Sequence, residues 1–128
     1  MKIHLAIIFL SLIWAGYANA EKIALINCTK ENGIFNREQL EKTEKLINKN
    51  KQTIKSTIIF KTDYAKKNKH QKVLVSEAKL NFVDKNYATK KIIVNGKIIL
   101  ETIYDLNEKN YETIDHGNNG KVTRFFCE

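Results

Sequence analysis

The sequence predicts an α+β domain: an N-terminal strand, one amphipathic helix, then an antiparallel β-meander of about six strands. Three observations carry that reading. Residues from Asn36 to Lys49 show helical spacing behind a capping signal. Residues from Thr53 onward alternate with a period of two. Asn-Gly and other Gly- and Asn-rich turns then divide the second half into short runs, and short connections join antiparallel neighbours.

Lys22 to Cys28 is short and apolar, with Ile23, Leu25 and Ile26, and reads as a buried strand. Gly33 ends the turn that follows. Asn36 stands as an N-cap, Gln39 follows three residues later as in a capping box, and Phe35 and Leu40 take the two positions of a hydrophobic staple. Leu40, Thr43, Leu46, Ile47 and Ile54 recur at helical spacing. Glu38 with Lys42, and Glu41 with Lys45, stand at i,i+4 in the favourable order. The expectation is a helix from Arg37 to Lys49.

Ile54, Ser56, Ile58, Phe60, Thr62 and Tyr64 then fall on one face of a strand. Lys66 to Lys72 is a polar loop. Leu74, Ser76, Ala78, Leu80 and Phe82 line a second strand that ends near Asp84, so the pair makes a hairpin with a long basic tip. Asn95-Gly96 is the strongest turn signal, because both residues accept the positive φ of a type I′ turn. A two-residue loop places Val94 opposite Lys97, Ile92 opposite Ile99 and Lys90 opposite Glu101. Asn107 to Asn110 turns the chain, Tyr111 to His116 is a strand, Gly117 to Gly120 turns it again, and Val122 to Cys127 is the last strand.

Lys2, the apolar run from Ile3 to Trp14 and the small residues of Ala18-Asn19-Ala20 form a secretory signal with cleavage expected after Ala20. The apolar run is shorter than the roughly 20 residues a membrane helix needs, and no second such run follows. The expected organisation is a signal peptide over residues 1–20 and a single domain over residues 21–128, located in the periplasm or secreted, with no membrane span after cleavage. An exported chain with two cysteines, Cys28 and Cys127, reads as one disulfide. A bond closing a loop of about 100 residues contributes about 4.7 kcal/mol in the chain-entropy model. It requires the first and last strands to lie side by side, by pairing, which would close the sheet into a small barrel, or by packing across one another.

The net charge is +8. Of 22 basic residues only Arg37 and Arg124 are arginines. Phosphate and base recognition favours the planar fork of Arg, so nucleic acid is a poor partner. The densest basic stretch is Lys66, Lys67, Lys69, His70 and Lys72, which offers contact to an anion or an acidic partner face. It has no interleaved aromatics of the kind single-stranded nucleic-acid readers use.

Catalytic patterns are sparse. His70 and His116 with a Lys would be the toolkit of a metal-free ribonuclease, one His as base and the other as acid. Asp115-His116 is half a metal site without further ligands by spacing. Glu108 and Glu112 lie in or near a turn, and Ser56 and Ser76 fall on apolar strand faces. No nucleophile elbow, P-loop or dinucleotide fingerprint occurs. No catalytic residue, metal or cofactor is assigned. Asn27-Cys28-Thr29 matches the N-glycosylation pattern, although its central Cys and its strand placement argue against modification.

Tyr104-Asp105-Leu106-Asn107, Tyr111-Glu112-Thr113-Ile114 and Phe126-Cys127-Glu128, taken with the leader and the cysteine placement, resemble small bacterial periplasmic β-rich proteins of uncharacterised function. These carry one Cys near each end of the mature chain. The resemblance covers about 25 residues beyond the leader and implies a periplasmic, disulfide-closed β domain. The layout is also similar to periplasmic inhibitors of c-type lysozymes, but the Ser-Gly and Tyr-containing inhibitory loop of that family is not visible, and like charges would oppose docking on a basic lysozyme. No functional residue transfers from either group. The function expected is a non-catalytic secreted or periplasmic binding protein, an inhibitor or immunity factor among the candidates. It would act as a monomer on another envelope or secreted protein or on an anionic surface. The alternatives are a cationic effector with ribonuclease-like activity through His70 and His116, and an electrostatic binder of polyanions.

Overall fold

The computed structural model describes residues 22–128; the signal peptide assigned to residues 1–20 lies outside the described residues. The chain runs β1 (Lys22–Ile26), β2 (Thr29–Lys30), β3 (Leu40–Asn48), β4 (Thr53–Phe60), α1 (Thr62–Lys67), β5 (Val73–Lys79) and β6 (Asn81–Asp84). It continues through β7 (Tyr87–Val94), β8 (Lys97–Asp105), β9 (Asn110–Asp115), a 3-10 turn (His116–Asn118) and β10 (Lys121–Phe126). The strands form two antiparallel sheets, one of order β1-β3-β4-β5 and one of order β2-β10-β9-β8-β7-β6.

The α+β expectation is corrected to a nearly all-β fold, because the amphipathic helix from Arg37 to Lys49 is absent. Its capping signal is nonetheless real. Asn36 Oδ1 accepts from the backbone N–H of Glu38 and Gln39, at 3.2 and 3.3 Å. Leu40 N donates to Asn36 O at 3.0 Å, which is one helical turn. The chain then extends into β3, because that strand is hydrogen-bonded on both sides, to β1 and to β4. The i,i+4 ion pairs that favoured a helix contribute only about 0.2–0.5 kcal/mol each. A two-sided ladder with Ile47 fully buried outweighs them, since burying such a side chain contributes about 1.5–3 kcal/mol. The charges find other partners. Lys42 pairs with Glu44 two residues along the strand, and Glu41 pairs with Lys72 at 3.4 Å.

The barrel expectation is corrected as well: the two sheets stay open. β1 pairs only with β3, whereas the last strand, β10, pairs with the short β2, with Phe126 opposite Thr29 and Phe125 opposite Lys30. Cys28 lies between β1 and β2, where the chain leaves the first sheet for the second. Its disulfide to Cys127 is present, and it requires proximity without ladder pairing of β1 to β10.

The second long strand is broken at Leu80, with β5 in the first sheet and β6 in the second. Leu80 is buried where the chain crosses. Register supplies the facing rows. Ile23, Ile47, Ile54 and Ala78 lie opposite one another across the first sheet. Phe82, Ala88, Tyr104, Tyr111 and Phe125 do so across the second. Leu25, Ile47 and Ile54 from one sheet and Ala88, Tyr104 and Tyr111 from the other belong to one buried cluster, against which Cys28 and Cys127 pack. The rings of Tyr111 and Phe125 stack at 4.6 Å.

The Asn95-Gly96 turn forms as expected, with φ of 52° and 76°. Val94 faces Lys97, but the rest of the expected register is off by one. Ile92 faces Leu100, Lys90 faces Thr102, and Lys91 faces Glu101. The register shifts between Ile92 and Ile93, because Ile99 is a bulge residue with no partner opposite.

Candidate functional site

The basic segment is more ordered than a polar loop. Thr62–Lys67 forms the short helix α1, with Asp63 in its first turn and Lys66 and Lys67 in its last. Both signs match the helix dipole. Ala65 is the buried residue of α1. Asn68 Nδ2 donates to Tyr64 O at 2.9 Å, Lys69 takes a positive φ, and His70 N donates to Ala65 O at 3.1 Å. The His70 ring packs edge-on to Phe60 at 4.5 Å and against Tyr64 at 5.4 Å, and Phe60 and Tyr64 stack on each other. Aromatics missing from the basic run in sequence are thus brought beneath it from β4 and α1.

Lys66, Lys67 and Lys69 are exposed on this support, and among the described residues none of them forms an ion pair. Lys72 points elsewhere, to Glu41. His70 Nδ1 meets the Gln71 carbonyl oxygen at 2.8 Å. A carbonyl only accepts, so Nδ1 carries the hydrogen and Nε2 is the free acceptor of the neutral ring. The segment can present three cations to an anion.

His116 sits elsewhere. It opens the 3-10 turn that Asp115 caps through its Oδ1, which accepts from Gly117 N at 3.0 Å. His116 Nε2 lies 2.8 Å from Glu101 Oε1 on β8. His70 contacts Phe60, Tyr64 and Gln71, His116 contacts Glu101, and the two rings have no partner in common. Glu112 pairs with Arg124 at 3.1 Å across β9 and β10. Ser56 Oγ accepts from Lys45 Nζ at 3.4 Å, in an inner row of Leu25, Lys45, Ser56 and Ser76. Among the described residues no three His, Cys, Asp or Glu side chains converge in a way that could hold a metal ion.

Lys45 is the one polar inner-row side chain with a shifted ionisation. Desolvation between the sheets, then the charge of Lys90, lower its pKa from the ordinary lysine value. Its ammonium lies 5.6 Å from the centre of the Tyr111 ring, which offsets part of that cost.

The glycosylation pattern at Asn27 is structurally occupied. Asn27 is buried, its Oδ1 accepts from Thr43 N at 2.9 Å, and its Nδ2 donates to Glu128 at 3.3 Å. The described residues contain no helix long and apolar enough to cross a membrane.

One surface escaped the sequence reading. Ile92, Ile93, Val94, Ile98 and Ile99, around the Asn95-Gly96 turn, are all exposed. Their signal was an apolar run on both faces of a hairpin, where a strand half-covered by a core would alternate. Comparison with known proteins adds no lead: no family model matches the chain, and no curated sequence or solved structure is significantly similar to it.

Proposed function

We propose that the chain is an exported, non-catalytic binding protein that engages an anionic partner in the periplasm or outside the cell. The observation that carries this is the set of Lys66, Lys67 and Lys69, exposed and without an ion-pair partner among the described residues, on a hydrogen-bonded turn backed by Phe60, Tyr64 and His70. Preordered cations lose less conformational entropy on binding than cations on a loose loop. The Cys28–Cys127 disulfide supports an oxidising compartment, as does the layout shared with small periplasmic β-rich proteins.

Replacing Lys66, Lys67 and Lys69 with Gln is expected to shift elution from immobilised heparin to markedly lower salt. Lys72→Gln, which removes a lysine already paired with Glu41, is expected to shift it little. Unchanged retention of the triple variant would overturn the assignment of the turn. RNA degradation by the wild type that disappears in His116→Ala would overturn the non-catalytic reading in favour of the ribonuclease-like one.

A further inference from the structure

The β7–β8 hairpin extends past the sheet that carries it. β6 pairs with β7 only at Tyr87, Ala88 and Thr89, and β9 follows β8 only as far as Leu100. Beyond those points no further strand pairs with either edge of β7 and β8, which continue as a two-stranded ribbon, with the 3-10 turn after β9 lying beside the base of β8. A ribbon in water is expected to be polar on its outer surfaces. This one carries Ile92, Ile93, Val94, Ile98 and Ile99, with Ile93 60% and Val94 47% exposed. Successive strand residues alternate between faces, so the consecutive Ile92, Ile93 and Val94 place apolar side chains on both. Between Lys90 and Leu100 the charged residues are Lys90, Lys91 and Lys97, with no carboxylate. Glu101, at the base, is held by His116.

We infer that this hairpin is a lipid-contact element, which seats its aliphatic tip in the interface of an anionic bilayer while its lysines meet the headgroups. Two features select a bilayer over a protein groove. The apolar side chains lie on both faces of the ribbon, and a lipid interface surrounds an inserted tip where a groove would cover one side. The lysines flank the aliphatics, the arrangement that adds electrostatic attraction to anionic lipid to apolar burial.

Reach and depth agree. The three or so residues of ribbon past Leu100 extend about 10 Å at 3.3–3.4 Å per residue, close to the roughly 5–10 Å depth of interfacial elements. The strand edges without ladder partners confine insertion to the headgroup boundary, since unpaired backbone groups do not enter the hydrocarbon core. The inference rests on residues other than the basic turn, so the two can fail separately.

The test is co-sedimentation of the disulfide-bonded protein with vesicles of equal parts phosphatidylglycerol and phosphatidylcholine, and with phosphatidylcholine alone. Binding to the mixed vesicles is expected, weak or absent on the neutral ones and reduced by salt. Ile93→Ser with Val94→Ser is expected to lower partitioning about tenfold or more. Lys66, Lys67 and Lys69→Gln is expected to retain the hairpin's contribution. Val94→Trp supplies a reporter, Trp14 being the only other tryptophan in the sequence, and its added emission should shift to the blue on mixed vesicles. Circular dichroism and thiol alkylation establish that each variant is folded. A wild type that stays in solution with mixed vesicles overturns the inference, as does a double Ser variant that binds like the parent. A concentration-dependent dimer abolished by Ile93→Ser with Val94→Ser, without vesicle retention, also overturns it and makes a second copy the occupant.

Discussion

Asn27 illustrates how much one side chain can hold. It takes a positive φ of 48°, is buried, and donates its backbone N–H to Thr43 O, while its side-chain amide accepts from Thr43 N and donates to Glu128. Asn tolerates this left-handed conformation better than residues without a local hydrogen bond. Asn27→Ala is expected to cost about 2 kcal/mol, from strain and from a buried donor left without a partner. Urea unfolding measures it, and Asn27→Gly should recover the strain share. The two core tyrosines set an alkaline limit. Desolvation pushes the Tyr111 phenol up to about 12, and desolvation with the neighbouring Tyr111 pushes Tyr104 further up, from the ordinary 10.0. A raised folded pKa gives stability that is complete below pH 10 and is lost as pH rises through the folded value. Unfolding free energy should therefore fall between about pH 10 and 12. Tyr111→Phe should shrink that fall, and chemical denaturation at several alkaline pH values would show it. Lys45, with its lowered pKa, contributes with the opposite sign over the alkaline range below the lysine value, so the tyrosine loss is read against a small gain.

Among the elements, β3 and the β7–β8 hairpin separate local from non-local causes. Asn36 carries the start signal of a helix and delivers a single turn, because no residue in the segment itself records that β1 and β4 will flank it. Asn95-Gly96 carries a turn signal whose outcome depends only on those two residues, and it forms as read. Gly96 has a φ of 76°, and a Cβ there would meet nothing within 4 Å. The cost of Gly96→Ala is thus pure backbone strain, expected at about 1 kcal/mol or slightly more. It would appear as a lower urea midpoint with an unchanged m-value. The bulge at Ile99 was illegible for the opposite reason, since nothing in the pattern of Lys97 to Leu100 marks where a ladder will slip. The basic segment is intermediate. Its lysines were visible, but the packing of His70 on Phe60 and Tyr64 depends on a reversal of the chain between β4 and β5.

At the scale of the whole molecule, the described residues form two open sheets over one small core, tied where Cys28 meets Cys127. The Cys28–Cys127 bond spans 99 positions, and Glu128 N donates to Ile26 O beside it. A loop that long makes the bond a large part of total stability. Replacing both cysteines with Ser is expected to cost about 3–5 kcal/mol. The loss should lower the urea midpoint strongly, or leave the chain unfolded at 37 °C. A loss below about 1 kcal/mol would mean that the β2–β10 pairing and the core already hold the ends together.

Whereas the alternation read in the sequence carried on to Thr62 and Tyr64 in α1 and to the exposed Leu74 and Ser76 of β5, residue order alone was enough for the cysteine pair, the type I′ turn, the Ile54, Ser56 and Ile58 face of β4 and the exposed lysine cluster. Each depends on neighbours in the chain or on simple counting: two thiols allow one bond, Asn-Gly accepts positive φ, and Ile54, Ser56 and Ile58 alternate. Only the folded arrangement could decide that residues 40–48 extend, that the sheets remain open, that the ladder slips at Ile99 and that the hairpin outruns its neighbours. Those outcomes depend on hydrogen-bond partners contributed from far along the chain, which weak i,i+4 pairs and local caps do not encode.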